Sequence, residues 1–135
     1  MASMLREHLD PSTTSVGTSV KVLAGAIFAE VVADGRLAED VRALAGQAAV
    51  DAGRVEAAVA FATGNGVAPP VDDRREAAAL TLARAASPSP ARIDAPTVSE
   101  CRESGLPPAA IIEIVSWLAV LQMLHRLTGY ALPAA

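Results

Sequence analysis

Three side chains in this sequence could do chemistry near neutral pH: Cys101, His125 and Glu113. Cys101 is the sole cysteine, which excludes an internal disulfide and any Cys-x-x-Cys redox or metal motif. It follows Val98 by about one helical turn and reads first as a small buried apolar side chain. The alternative is a single peroxidatic or adduct-forming thiol, with Arg102 as the local cation able to stabilise a thiolate. His125 continues the helical stripe of Leu118 and Leu121. There it is either a hydrogen-bonded core or interface histidine or a proton carrier lining a pocket. Glu113 stands four residues before Trp117 on the same face. A carboxylate on so apolar a helix either pairs with an arginine or faces a cavity; Arg126, or an arginine of a neighbouring subunit, is the expected partner. His8 lies on the N-terminal tail and reads as solvated.

No other pattern offers a cofactor site. Gly64-Asn65-Gly66 lacks the strand and the lysine of a phosphate-binding loop. With 2 histidines and 1 cysteine in the chain, no metal site is expected, and no cofactor is implied.

The elements that must carry these residues are helices. Val16, Val20, Leu23, Ile27 and Val31 recur at three- and four-residue steps, one face of a helix. Asp10-Pro11 reads as its start and Asp34-Gly35 as its end. A second helix is expected over 37–52, with Val41, Leu44, Ala45 and Ala48 on one face and Gly53 as its stop. A short third helix covers 55–62 and ends in the turn-rich stretch 64–70. Asp73-x-x-Glu76 resembles a capping box and opens a fourth helix to about residue 86, after which Ser87-Pro88-Ser89-Pro90 breaks the chain. Asp94 with Pro96 starts a fifth, ending at Ser104-Gly105. Pro107-Pro108 begins the last and longest, running to about Thr128 with Gly129 after it. No stretch alternates as a strand would. The fold expected is all-α: one domain of about six helices over 15–130, between a tail and helix cap at 1–14 and a tail at 131–135.

Composition agrees. A chain of 135 residues suits one domain. It is 52% hydrophobic but only 3% aromatic, so the core must be aliphatic and rich in alanine, the best helix former. With 11 basic against 15 acidic residues and no basic cluster denser than Arg74-Arg75, a nucleic-acid surface is not expected. The first residues do not read as a secretory signal. The apolar stretches 20–32 and 109–124 carry Lys21 and Glu30, and Glu113 and Gln122, and read as buried helices short of a membrane span. A cytoplasmic location is the default expectation.

The segment 71–127 resembles the second half of alkylhydroperoxidase D-like proteins, the superfamily that includes carboxymuconolactone decarboxylases. The residues that carry this are Arg75-Glu76-Ala77-Ala78-Ala79-Leu80-Thr81-Leu82-Ala83, 98–105, the run Leu106-Pro107-Pro108-Ala109-Ala110-Ile111-Ile112-Glu113-Ile114-Val115, and the ending Leu124-His125-Arg126-Leu127. The resemblance implies that helical fold and a trimer or hexamer. It also implies a Cys-x-x-Cys-x-x-x-His motif upstream, which is missing. If Gly53 is the glycine ending the motif helix, the cysteine positions fall at Ala38 and Val41, the histidine at Ala45 and an upstream glutamate near Ala26. Aliphatic side chains cannot run thiol chemistry, and no shift of register helps a chain with one cysteine.

Two functions follow as expectations. One is a catalytically silent homologue acting as an oligomeric scaffold, an accessory subunit or a binder of a protein partner or small hydrophobic ligand. The other is a cysteine-independent enzyme of the carboxymuconolactone decarboxylase type, with Glu113 or His125 as general acid or base. The pocket or interface expected in either case comprises Glu113, Trp117, Leu121, His125 and Arg126. An oligomer is expected on physical grounds as well, because the last helix is apolar nearly all round and must be covered nearly all round.

Overall fold

The structure, a computed structural model, describes residues 16–64, 66–88 and 91–130, and side chains only as far as 127. Within these residues it is all-α and forms a single domain of six helices without a strand. They are α1 (Thr18–Val31), α2 (Gly35–Gln47), α3 (Ala52–Thr63), α4 (Arg74–Ala86), α5 (Ala95–Glu103) and α6 (Pro108–Tyr130). The Asp10-Pro11 start, His8, the two tails and the Ser89-Pro90 part of the chain break lie outside the described residues.

α1 is the centre of the domain. Ten consecutive residues, from Val20 to Ala29, are buried, which a helix manages only when neighbours cover every side. α2, α3, α4 and α6 all pack on it, α4 also packs on α6, and α5 rests on α4. α1 is therefore the helix whose whole girth demands cover. α6 buries one broad face, Ala110, Ile114, Trp117, Leu118, Leu121 and Leu124, against α1 and α4. The expectation that the last helix must be covered nearly all round is met on this face from within the chain: Trp117 is fully buried, with α1 and α4 packed on the helix that carries it.

At Gly25 α1 is packed closely. A methyl group there would stand 3.2 Å from Val41, 3.7 Å from Leu121 and 3.8 Å from Trp117. Glycine in mid-helix costs stability relative to alanine, and its use here fits the close approach of α2 and α6 to the central helix.

Aspartates start four of the helices. The side chains of Asp34, Asp51, Asp73 and Asp94 accept hydrogen bonds from first-turn amides of α2, α3, α4 and α5, satisfying donors that have no partner within the helix. The helix ends differ from expectation. Asp34-Gly35 and Gly53 are not stops: Asp34 caps α2, and Gly35 and Gly53 lie in the first turns of α2 and α3. The stops are Ala33 (φ 55°) and Ala49 (φ 56°). Each sits in the left-handed region while the next amide reaches back five residues, Asp34 N–H to the Ala29 carbonyl (2.9 Å) and Val50 N–H to the Ala45 carbonyl (2.8 Å). These are Schellman turns with alanine where glycine is usual. At the end of α5 the same turn uses Gly105 (φ 86°), with Leu106 N–H on the Cys101 carbonyl at 3.0 Å. α6 continues through Gly129 to Tyr130, so that glycine is not a stop either.

α6 also runs longer than the apolar stretch read from sequence. Its segment Pro108–Leu127 is, by length and composition, the one span among the described residues long and apolar enough to cross a membrane, and a third of it is buried within the domain.

A left-handed alanine costs about 1–2 kcal/mol relative to a right-handed one. Replacing the exposed Ala33 or Ala49 with glycine should therefore raise stability, by about 0.5–1 kcal/mol each after the entropic cost of glycine in the unfolded chain. Urea denaturation of the two single variants checks this, and a loss of stability in both would contradict the turn assignment.

Candidate functional site

Of the residues singled out in the sequence, the structure places Glu113 in a cross-link between helices. Its carboxylate stands 3.7 Å from the Lys21 ammonium and accepts the Val16 amide. Lys21 is 1% exposed near the start of α1, and Glu113 is 19% exposed. Burial pulls the Lys21 ammonium below the usual lysine range, and the Glu113 carboxylate pushes back toward the charged form. One turn further along α6, the Trp117 indole N–H donates to the Lys21 main-chain carbonyl at 2.9 Å. Glu113 and Trp117, four residues apart on one face, thus grip the side chain and the backbone of the same lysine. Arg126 is not the partner of Glu113: thirteen residues of helix hold the two about 20 Å apart along the axis.

Trp117 and Leu121 are fully buried within the chain. They belong to the core around Gly25.

His125 and Asp34 form a second pair. The His125 Nδ1 lies 2.8 Å from Asp34 Oδ2, across 91 residues of sequence. Asp34 Oδ1 is at the same time the α2 cap, accepting the Leu37 amide at 3.0 Å. Burial opposes the charge on Asp34, but the His125 hydrogen bond, the Leu37 amide and the nearby imidazole outweigh it and hold the carboxyl below its usual range. Phe28 meets the imidazole edge-on, ring centroids 6.3 Å apart. His125 is about one-third exposed and Asp34 9%. A carboxylate on Nδ1 favours the tautomer that leaves Nε2 as the basic nitrogen, and among the described residues Nε2 has no hydrogen-bond partner. Asp34 was legible only as a helix terminus. Nothing in a single sequence signals that it meets a side chain 91 positions away.

Phe28 also lines an apolar trough of about 210 Å³ between α1, the chain after α4 and α6, whose other walls include Val115, Leu118 and Ala119 and whose polar lining includes Gln122 and Arg126. A neighbouring depression of about 300 Å³ shares Ala119, Gln122 and Arg126 and adds Met123 and Leu127. These openings lie along the outward stripe of α6, where Ile112, Val115, Met123 and Leu127 are exposed.

Cys101 lies elsewhere, on a cleft of about 370 Å³ between α4 and α5 that is also lined by Arg74, Thr81, Thr97, Glu100 and Ser104. It is buried, its thiol directed to the Ala78 carbonyl at 3.8 Å. Burial pushes the thiol up, and the Glu100 charge adds to this. A thiolate is disfavoured on both counts.

The positions to which the missing motif was assigned, Ala26, Ala38, Val41 and Ala45, are buried or half-buried apolar residues. Gly53, which anchored that assignment, lies inside α3, so the assignment loses its reference point. The absence of the motif stands without it, because Cys101 is the only cysteine. Among the described residues no group of three His, Cys, Asp or Glu side chains could hold a metal ion.

In the solved structures the fold is similar to that of the debrominase Bmp8, as a cysteine-to-alanine variant in complex with 2,3,4-tribromopyrrole: TM-score 0.73, 25% sequence identity, 91% of this chain covered. This chain spans 62% of that one. No family model and no curated protein matches the sequence.

Removing the Glu113 carboxylate strands the Lys21 charge among buried side chains, so Glu113→Ala should cost about 2–4 kcal/mol of stability, read by chemical denaturation; a loss below about 0.5 kcal/mol would contradict the cross-link. The Asp34 carboxyl is lowered on folding, so its contribution is complete above the unfolded value near 4 and is lost as pH falls through the lower folded value. Asp34→Asn, which keeps the helix cap, should flatten the fall in melting temperature on acidification below about pH 4 relative to the unmodified chain.

Proposed function

We propose that this chain is a thiol-silent relative of the alkylhydroperoxidase D-like superfamily, soluble and cytoplasmic, and that it works by binding rather than by peroxide reduction. The observation that carries this is the state of Cys101: a single thiol, buried, raised above its usual range and hydrogen-bonded to a backbone carbonyl, with no second thiol to resolve an oxidised intermediate. The six-helix architecture and the similarity to Bmp8 support the family reading; Bmp8 is itself described as a debrominase, and that activity is not carried over to a chain spanning 62% of its length. The outward stripe of α6, Ile112, Val115, Met123 and Leu127, is the surface this reading assigns to binding, whether of a small hydrophobic ligand, a protein partner or other copies of the chain. A trimer or hexamer is the assembly the resemblance implies.

The second reading, a cysteine-independent enzyme of the carboxymuconolactone decarboxylase type, is favoured by one observation, the Asp34–His125 pair beside Phe28. Within it His125 is the base and Asp34 its positioning residue. Glu113, held by Lys21 and the Val16 amide, is the weaker of the two groups for proton transfer.

The binding reading expects no dithiol-dependent hydroperoxide turnover above the uncatalysed rate, and no change on Cys101→Ser. Turnover abolished in that variant would sink it. Light scattering at micromolar concentration should give a mass above the 13.8 kDa of the single chain if α6 serves assembly, and Met123→Glu should then lower that mass; a wild-type monomer removes assembly from the reading and leaves the ligand.

A further inference from the structure

The trough on α6 has a chemical asymmetry. Its walls are apolar, from Phe28, Val115, Leu118 and Ala119, and among the described residues Arg126 is the one charged residue that lines it. The adjoining depression has the same single charge. Arg126 is exposed, and among the described residues it has no carboxylate partner. Gln122, one turn before it on the same face, adds an amide that can donate. A chain whose formal net charge is -4 thus presents an unpaired guanidinium at an apolar surface. Guanidinium groups bind carboxylates in charge-assisted, often bidentate pairs, and small-molecule sites are mostly apolar with few polar groups that fix orientation.

From this we infer that the trough binds a small apolar molecule ending in a carboxylate, its hydrocarbon against Phe28, Leu118 and Ala119 and its anionic end on Arg126 with Gln122. The inference rests on the thiol-silent binding reading and names its ligand class. At about 210 Å³, opening into about 300 Å³, the space is at the lower end of that taken by drug-sized ligands and suits a short acyl chain or one substituted ring. The guanidinium favours an anionic ligand over a neutral one, and among the described residues no acidic side chain lines either opening to favour a cationic one. Ala119 lines both openings, so a larger side chain there intrudes on them together.

The test uses the full chain with phenylnaphthylamine as a neutral fluorescent probe, displaced by decanoate or by decanol, which share a chain length and differ in the head group. Decanoate should displace the probe from the unmodified chain at about tenfold lower concentration than decanol, roughly 1.4 kcal/mol of head-group recognition. Arg126→Gln, at an exposed position with no ion pair to lose, should bring the two to parity without moving the decanol curve. Ala119→Trp should abolish probe binding, with Ala119→Met as the milder variant if circular dichroism shows the first to be unfolded. Equal displacement by decanoate and decanol in the unmodified chain, or probe binding unchanged in the folded Ala119 variant, overturns the proposal. So does an oligomer that takes up probe only after Met123→Glu separates it, since a second copy would then occupy the trough. Hydroperoxide turnover would defeat the underlying reading while leaving these displacement curves to be judged separately.

Discussion

Lys21 is the residue around which the domain is arranged. An ammonium group 1% exposed near the start of the most buried helix is tolerable only where a carboxylate meets it, since an isolated charge in such surroundings costs several kcal/mol. Glu113 provides that carboxylate from α6, and Trp117, one turn on, ties its indole N–H to the carbonyl of the same lysine. The two contacts set both the position of α6 along α1 and its rotation about its own axis. Leu121 then falls against Gly25, and His125, two further turns from Trp117, falls against Asp34 at the head of α2. Rotating α6 by one residue would break all of these at once. The rotation also decides which stripe of α6 is left outside, namely the one carrying Ile112, Val115, Ala119, Met123 and Leu127.

The chemistry of the molecule follows from that arrangement. Glu113, by sequence an attractive acid or base, is occupied in holding the fold. Cys101 is on the far side of α4, in a cleft with Glu100, where burial and a neighbouring negative charge both oppose the thiolate. The Asp34–His125 pair has the form of a positioned base, yet Asp34 also caps α2 and His125 joins α6 to the α1–α2 turn, so the same contact is a structural clasp. Phe28 stands between this pair and the trough, touching the imidazole on one side and lining the opening with the other. Trough and clasp are thereby adjacent, and a ligand in the trough would bear on the aromatic ring that braces His125.

Local chemistry was readable where a residue type forces a conformation. Aspartate caps set the starts of α4 and α5, proline the start of α6, and Gly105 the end of α5, because each supplies a hydrogen bond or a dihedral angle that few other residues supply. The same logic misplaced the ends of α1 and α2. There the left-handed position is filled by Ala33 and Ala49, whose identity gives no signal, and the glycines nearby belong to the next helices. With the stop of α2 at Ala49 and not at Gly53, the reference for locating the missing thiol motif is lost. Its absence needed no such reference, since one cysteine cannot make a pair.

The sequence by itself determined that the chain is helical, that its core is aliphatic, and that these 135 residues hold one cysteine and so no cysteine pair, because these depend on composition, on periodicity and on the count of one residue type. Only the tertiary structure decided which apolar helix is central, that Glu113 meets Lys21, that Asp34 meets His125, and which stripe of α6 stays open. Apolar periodicity names the faces of a helix that can be buried but not the neighbour that buries them. Where two helices are apolar on nearly every side, as α1 and α6 are, the choice of centre depends on close approach and buried charge: Gly25 lets α2 and α6 come near, and Lys21 requires one carboxylate at one height.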